Sequence, residues 1–156
     1  MSTSPYDFEQ FPRRLLHFRF DRRQLFTNVK IEMDVAIGEQ QGGKGYKLST
    51  LGVLPDAELG SIIPMILPDC QISLKDGFVW SRQHGSANLK RLFPQEETML
   101  YVFNGINGRT SLDHIAAYLQ QQTSWDAARS FAFTRGLFLH LVQLQTCVPR
   151  PERVGT

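Results

Sequence analysis

Residues 103–133, FNGINGRTSLDHIAAYLQQQTSWDAARSFAF, determine how the second half of the chain folds. A short phrase occurs twice in this stretch, as Thr110-Ser-Leu-Asp113 and as Thr123-Ser-Trp-Asp126. Each phrase places hydroxyl side chains and then a carboxylate before an apolar pattern of helical spacing, which is typical of a helix start. The repeat predicts two helices joined by a short turn. Thr110 or Ser111 is the predicted N-cap of the first, and Thr123 or Ser124 that of the second.

A third helix is predicted just before this pair. It begins at Pro94, has acidic residues in its first turn, and runs to about Asn104, where Gly105 or Gly108 ends it. The following two helices each carry an apolar stripe at helical spacing. Those stripes comprise Leu112, Ile115, Ala116 and Leu119 in one helix, and Trp125, Ala128, Phe131, Phe138 and Val142 in the other.

Strand patterns come earlier in the chain. Residues 30–38, KIEMDVAIG, alternate apolar and polar side chains, and a second strand-like run from Tyr46 to Val53 completes a predicted hairpin. A second hairpin turns at Asp76-Gly77, and residues 87–92 form a further strand. Between the hairpins, Pro55 begins a short helix that ends at Pro64.

These elements predict an α+β fold, with N-terminal antiparallel hairpins followed by a three-helix winged-helix-like C-terminal half. Residues 1–10 are predicted to be a flexible tail, residues 11–148 a single domain, and residues 149–156 a second tail. Within the domain, residues 11–70 form a β-rich extension and residues 71–148 the winged-helix-like unit.

Composition favours an ordinary soluble globular protein, with 42% hydrophobic and 21% charged residues among 156. Its two cysteines suit a reducing compartment, and the polar N-terminus lacks the layout of a secretory signal. The longest apolar stretches, Ile62–Leu67 and Leu137–Leu144, are far shorter than the roughly 20 residues that span a bilayer. We therefore expect a cytoplasmic protein without a membrane span.

No motif indicates catalysis, a metal or a cofactor. The loop from Gly38 to Gly45 matches G-x-x-x-x-G-K, but Gly45 stands where a nucleotide-binding loop has Ser or Thr, and no helix is predicted after it. The four histidines are scattered without metal-ligand spacing, and neither cysteine lies in an activating context. The chain is predicted to be non-enzymatic.

Nucleic-acid binding by a winged-helix regulator is the alternative. Aromatic residues and arginines intermingle near the N-terminus, a mixture that can hold single-stranded nucleic acid. The candidate residues are Arg13, Arg14, Arg19, Arg22, Arg23 and, on the last helix, Arg129. Against this alternative, the helix from Ser111 to Leu119 has no Lys or Arg to read bases, and the basic segment equally suits an amphipathic stretch that buries its Phe and Leu.

Residues 72–145 resemble the PqqD-like domains, also called precursor-peptide recognition elements. Asn107-Gly108 stands at the family's Asp-Gly turn, Ser111 at its hydroxyl cap, and Ile115 and Leu119 at its apolar positions. The chain departs from the family in its Asn107 and in about 70 N-terminal residues without a counterpart.

The resemblance implies a chaperone, maturation or assembly factor that captures a protein or peptide. In such domains the partner adds a strand to a sheet edge and contacts the last helix. Carried over to this sequence, the partner-binding residues are Leu89, Lys90 and Arg91 on the last strand, and Phe131, Arg135 and Phe138 on the last helix.

Overall fold

The computed structural model describes residues 6–16 and 48–150, and the structural statements below concern these ranges. They form a mixed α and β fold with two antiparallel sheets, as the sequence predicts at that level. Two 3₁₀ helices span Phe8–Gln10 and Leu48–Val53. The α-helices are α1 (Asp56–Gly60), α2 (Glu97–Gly105), α3 (Leu112–Thr123) and α4 (Ala127–Gln143). The strands are β1 (Pro64–Ile66), β2 (Cys70–Lys75), β3 (Phe78–Gln83), β4 (Leu89–Pro94) and β5 (Cys147–Pro149).

The larger sheet has the strand order β2-β3-β4. Its first turn is the predicted one, because Asp76 and Gly77 both adopt positive φ angles, 53° and 78°, as a two-residue hairpin turn requires. A bulge interrupts the pairing of β3 with β4, where Val79 faces Phe93 and Trp80 faces Arg91. The extra residue, Leu92, and its neighbour Phe93 are both fully buried, so the bulge directs two adjacent side chains into the core.

The smaller sheet was not predicted. It pairs β1 with β5 in an antiparallel register that sets Pro64 opposite Pro149 and Ile66 opposite Cys147. The sequence led us to treat these prolines as the ends of ordered segments, but both take end positions in strands, where proline is tolerated. The predicted C-terminal tail therefore starts too early, since Pro149 is buried and the Arg150 N–H donates to the Ile63 carbonyl.

The helix starts agree with the sequence in one case and differ in two. Ser111 caps α3 and accepts a hydrogen bond from the His114 N–H, as predicted. The N-cap of α4 is Asp126, whose carboxylate accepts from the Arg129 N–H at 2.8 Å. Thr123 is still part of α3, and Ser124 ends that helix at φ 63°, so the second Thr-Ser pair closes one helix instead of starting the next. The first predicted helix also starts later, at Glu97, because Pro94 belongs to β4.

Two predictions for the N-terminal part are wrong. Residues 48–53 form a 3₁₀ helix instead of a strand, because Leu48 and Leu51, three positions apart, both face the core. The rest of the predicted hairpin, residues 30–47, lies outside the described ranges. Residues 6–10 do not form a flexible tail, since Phe8 is buried in the main core. The Leu16 N–H donates to the Ser49 carbonyl at 2.9 Å, which places the ends of the two described ranges side by side.

Candidate functional site

The predicted partner-binding face of the last helix is largely buried. Phe138 is 0% exposed, and Arg135 is 4% exposed. The Arg135 guanidinium donates to the Phe11 carbonyl at 3.1 Å and to the Gly52 carbonyl at 3.2 Å. Burial lowers the pKa of Arg135 below its ordinary value, and the charge of Arg13 adds to this effect. Arg135 and Phe138 therefore hold the fold together, and the prediction that they line an open groove is wrong.

The chain's own N-terminal segment, residues 6–16, covers this side of α4. Phe8 packs edge-to-face on Phe133, and Arg129 forms an ion pair with Glu9 at 2.9 Å. A β-carbon at Gly136 would overlap the backbone of Phe8, so glycine is required for the segment to lie this close to the helix. Neither local periodicity nor composition signals a contact between residues so far apart in the sequence.

Phe131, the third residue predicted on this helix, lines a separate groove of about 700 Å³ beside α3 and α4. Six of the lining residues are alanines, and the ion pair between Arg13 and Asp56 lies at the same groove. The lining includes two carboxylates, Asp56 and Asp113, but no Ser, Cys or His.

The predicted edge strand, β4, is an outer strand of its sheet, but α4 and the residue after it engage it at two points. The Lys90 ammonium donates to the Leu144 carbonyl at 3.0 Å, and the His140 Nε2 lies 2.7 Å from the Leu92 carbonyl. Arg91 lies over the Phe78 ring at 4.7 Å, while Leu89 is half exposed. Leu89, Lys90 and Arg91 thus lie on an outer strand, whereas Arg135 and Phe138, the helix residues that they were expected to join, are buried.

The opposite outer strand, β2, is the most exposed strand of the fold. Every residue from Gln71 to Lys75 is exposed, and within the described ranges β2 pairs only with β3. Two of its side chains are large and apolar, with Ile72 36% and Leu74 61% exposed. The sequence predicts this strand but not its exposure. The alternation of apolar and polar side chains along a strand does not indicate which outer strand of a sheet is covered by a helix.

The hairpin register indicates which backbone groups of β2 face the open edge. Lys75 and Phe78 flank the two-residue turn and form a hydrogen-bonded pair, and such pairs alternate along an antiparallel ladder. The pairs of Ile72 with Ser81 and of Leu74 with Val79 are then the non-hydrogen-bonded ones. The N–H and C=O groups of Ile72 and Leu74 consequently point away from β3, towards the side with which no strand of residues 6–16 or 48–150 pairs, which we call the open edge.

The arginines of the nucleic-acid alternative are partly engaged within the protein. Arg13 is paired with Asp56, and Arg129 is both paired with Glu9 and stacked on the Trp125 ring at 3.8 Å. Arg14 is exposed. The remaining candidates, Arg19, Arg22 and Arg23, lie outside the described residues, as does the Gly38–Gly45 loop.

The titratable groups of the described part of the chain form no metal site, and its two thiols are not activated. No group of three or more His, Cys, Asp or Glu residues in residues 6–16 and 48–150 is arranged to hold a metal ion. Burial raises the pKa of the Cys70 and Cys147 thiols, which disfavours the nucleophilic thiolate. Across the same ranges, none of the helices has both the length and the apolar character needed to cross a bilayer.

No protein-family model matches the chain, and neither does any curated protein or solved structure. The resemblance to PqqD-like domains accordingly stays a prediction drawn from the sequence.

Proposed function

We propose that this chain is a non-enzymatic protein- or peptide-binding module, serving as a chaperone, maturation or assembly factor. Its partner binds as an extended segment along β2 and adds a strand to the sheet. We infer that β2–β4 with α2–α4 form the winged-helix-like unit expected from the sequence, since three antiparallel strands are followed by three helices in the same order.

The open edge of β2 is the observation that carries the proposal. Strand addition requires outward-facing backbone groups for affinity and neighbouring side chains for specificity. Ile72 and Leu74 supply both, because each turns its backbone groups to the edge and exposes an apolar side chain. β4 is less suited to this role, because the end of α4 reaches its Lys90 and Leu92. The nucleic-acid alternative has weaker support, because Arg13 and Arg129 are each paired with a carboxylate.

The test compares partner capture by the wild-type chain and by two edge variants. Ile72→Pro removes the outward N–H, and proline is acceptable on an outer strand. Leu74→Lys keeps the backbone but replaces the apolar contact, and Val53→Lys is the matched control because Val53 is similarly exposed, at 49%, in another part of the fold. Tagged full-length proteins are incubated with nuclease-treated extract of the native host, and recovered proteins are quantified by mass spectrometry.

We expect a partner that both edge variants lose at least tenfold and that Val53→Lys retains. Hydrogen exchange of the wild-type complex should then show protection of the Ile72 and Leu74 amides, a readout that does not depend on how the variants fold. Equal recovery by all four folded proteins, or protection confined to other segments, would refute the proposal.

A further inference from the structure

The two faces of the β2–β3 hairpin differ in chemistry at its open edge. Ile72 and Leu74 lie on the same face as Val79 and Ser81, which are almost completely buried. That inner face therefore continues the protein core out to the edge as an apolar rim. A residue of an added strand that points to this side would lie within about 5 Å, Cβ to Cβ, of Ile72 or Leu74.

The outer face of the same sheet is basic. By alternation it carries Gln71, Ser73, Lys75, Phe78, Trp80, Arg82, Leu89 and Arg91, which include three cations and no carboxylate. The nearest acidic residues in the hairpin, Asp69 and Asp76, lie outside the strands, before β2 and in the turn. The described part of the chain contains no ion pair to Lys75, Arg82 or Arg91.

Two of these cations are close to the open edge. Lys75 is on β2 itself. Arg82 belongs to β3, but its guanidinium donates to the Gln71 amide oxygen at 3.1 Å, so it extends over β2 towards the edge. A surface cleft of about 530 Å³ adjoins it, lined by Gln71, Ile72, Ser73, Arg82 and Leu89. The two positive charges thus lie along the edge. The charge of Arg82 is beside Gln71, and the charge of Lys75 is four positions further along the strand.

We propose that the partner segment is a peptide strand with the pattern acidic, apolar, polar, apolar, acidic. Its apolar side chains contact Ile72 and Leu74 on the inner face, and its acidic side chains reach Arg82 and Lys75 on the outer face. The pattern reads the same in both directions, so it fits a strand added parallel or antiparallel to β2. This inference rests on the proposed function and specifies the chemistry of its ligand.

The test uses two fluorescein-labelled peptides of roughly seven residues, the length of an ordinary strand. One has the sequence Thr-Glu-Val-Thr-Val-Glu-Thr, and the other replaces both glutamates with lysine. Affinity for the full-length chain is measured by fluorescence anisotropy at low salt. The protein variants are Lys75→Glu and Arg82→Glu, with Arg109→Glu as a control that makes the same charge change at an exposed position outside the sheet.

We expect the glutamate peptide to bind about tenfold more tightly than the lysine peptide, since each of the two exposed charge pairs contributes up to about fivefold in affinity. Either hairpin variant should weaken the glutamate peptide and strengthen the lysine peptide, while Arg109→Glu changes neither. The preference should decline as salt is added.

Four outcomes would overturn the inference. Equal binding of the two peptides, or binding of neither, removes the acidic requirement. Tight binding of single-stranded oligothymidine that Arg82→Glu abolishes, without peptide binding, assigns the face to nucleic acid. Self-association that Ile72→Pro abolishes assigns the edge to a second copy, whose residues 30–38 also alternate apolar and acidic side chains. If the two peptides bind equally or neither binds, edge-dependent capture of a host protein would still uphold the proposed function.

Discussion

The close approach of Phe8 to Gly136 gives a sharp test of how the N-terminal segment contributes to stability. Considered as a helix position alone, Gly136→Ala should stabilise the protein by about 1 kcal/mol, because alanine favours the helix more than glycine does. The structure predicts the opposite sign. The new β-carbon would overlap the backbone carbonyl of Phe8, and a backbone group cannot rotate away as a side chain can.

The magnitude follows from what the N-terminal segment loses when it moves. Exposing Phe8, now 1% exposed, costs about 2 kcal/mol of hydrophobic free energy. Breaking the hydrogen bond from Arg135 to the Phe11 carbonyl costs about 1.5–3 kcal/mol more, because the donor is charged. After the gain in helix propensity, a net loss of about 2.5–4 kcal/mol remains, or a fall in Tm of roughly 5–15 °C for a chain of this size.

Denaturant unfolding of the wild type, Gly136→Ala, Phe8→Ala and the double variant completes the test. In the wild type, Phe8→Ala should cost about 3–5 kcal/mol, whereas in the Gly136→Ala background it should cost less than half as much, since Phe8 is already displaced. Ala117→Gly, at an exposed position of α3, calibrates helix propensity alone. A more stable Gly136→Ala variant, or an equal cost of Phe8→Ala in both backgrounds, would refute the reasoning.

Three further predictions follow from the structure and the sequence. Ser111→Ala and Asp126→Ala should each lower the free energy of unfolding by about 1 kcal/mol, because each removes a helix N-cap. Ser124→Gly should raise it slightly, because Ser124 adopts a positive φ. Urea unfolding midpoints in any other order would contradict these cap assignments. Calorimetric titration with ATP or GTP and magnesium should show no binding, and a micromolar affinity that Lys44→Ala removes would disprove this. Burial lowers the pKa of His140, so the unfolded chain takes up a proton that the folded chain does not, and the free energy of unfolding should fall as pH drops below about 6.5. Thermal scans between pH 7 and pH 5 should show this loss reduced in His140→Gln, and an identical pH dependence would count against it.

Short-range features of the fold could be predicted from the sequence because short-range physics determines them. Asp76-Gly77 specifies its turn through the positive φ angles that these residues accept, and Ser111 specifies a helix start through its hydroxyl. The prediction that Thr123 or Ser124 starts the last helix was wrong because three glutamines, residues 120–122, favour helix and extend α3 to Thr123. The cap then moves to Asp126, which was available in the same phrase.

The candidate site was harder to predict because it depends on which surfaces other segments cover. Helical spacing placed Phe131 and Phe138 in one stripe, but it could not show that Phe131 is only partly buried whereas Arg135 and Phe138 face inward. The Arg135 guanidinium bonds to a carbonyl 124 positions away, and no local pattern encodes such a contact. The expectation of an open sheet edge was made for β4, yet the more exposed outer strand is β2.

Burial of α4 constrains where a partner can bind. The N-terminal segment covers one side of this helix, and contacts with β4 engage its C-terminal end, so the fold needs these surfaces for its own stability. The outer edge of β2 pairs with no strand of the described ranges, and an open strand edge invites non-specific pairing. The short length of β2 and the lysine at its end oppose such pairing. An uncharged strand added there would bring no counter-charges to Lys75 and Arg82. A partner segment with carboxylates supplies those counter-charges. The positive charges that oppose non-specific pairing at the edge are therefore also the basis of its proposed selectivity for acidic segments.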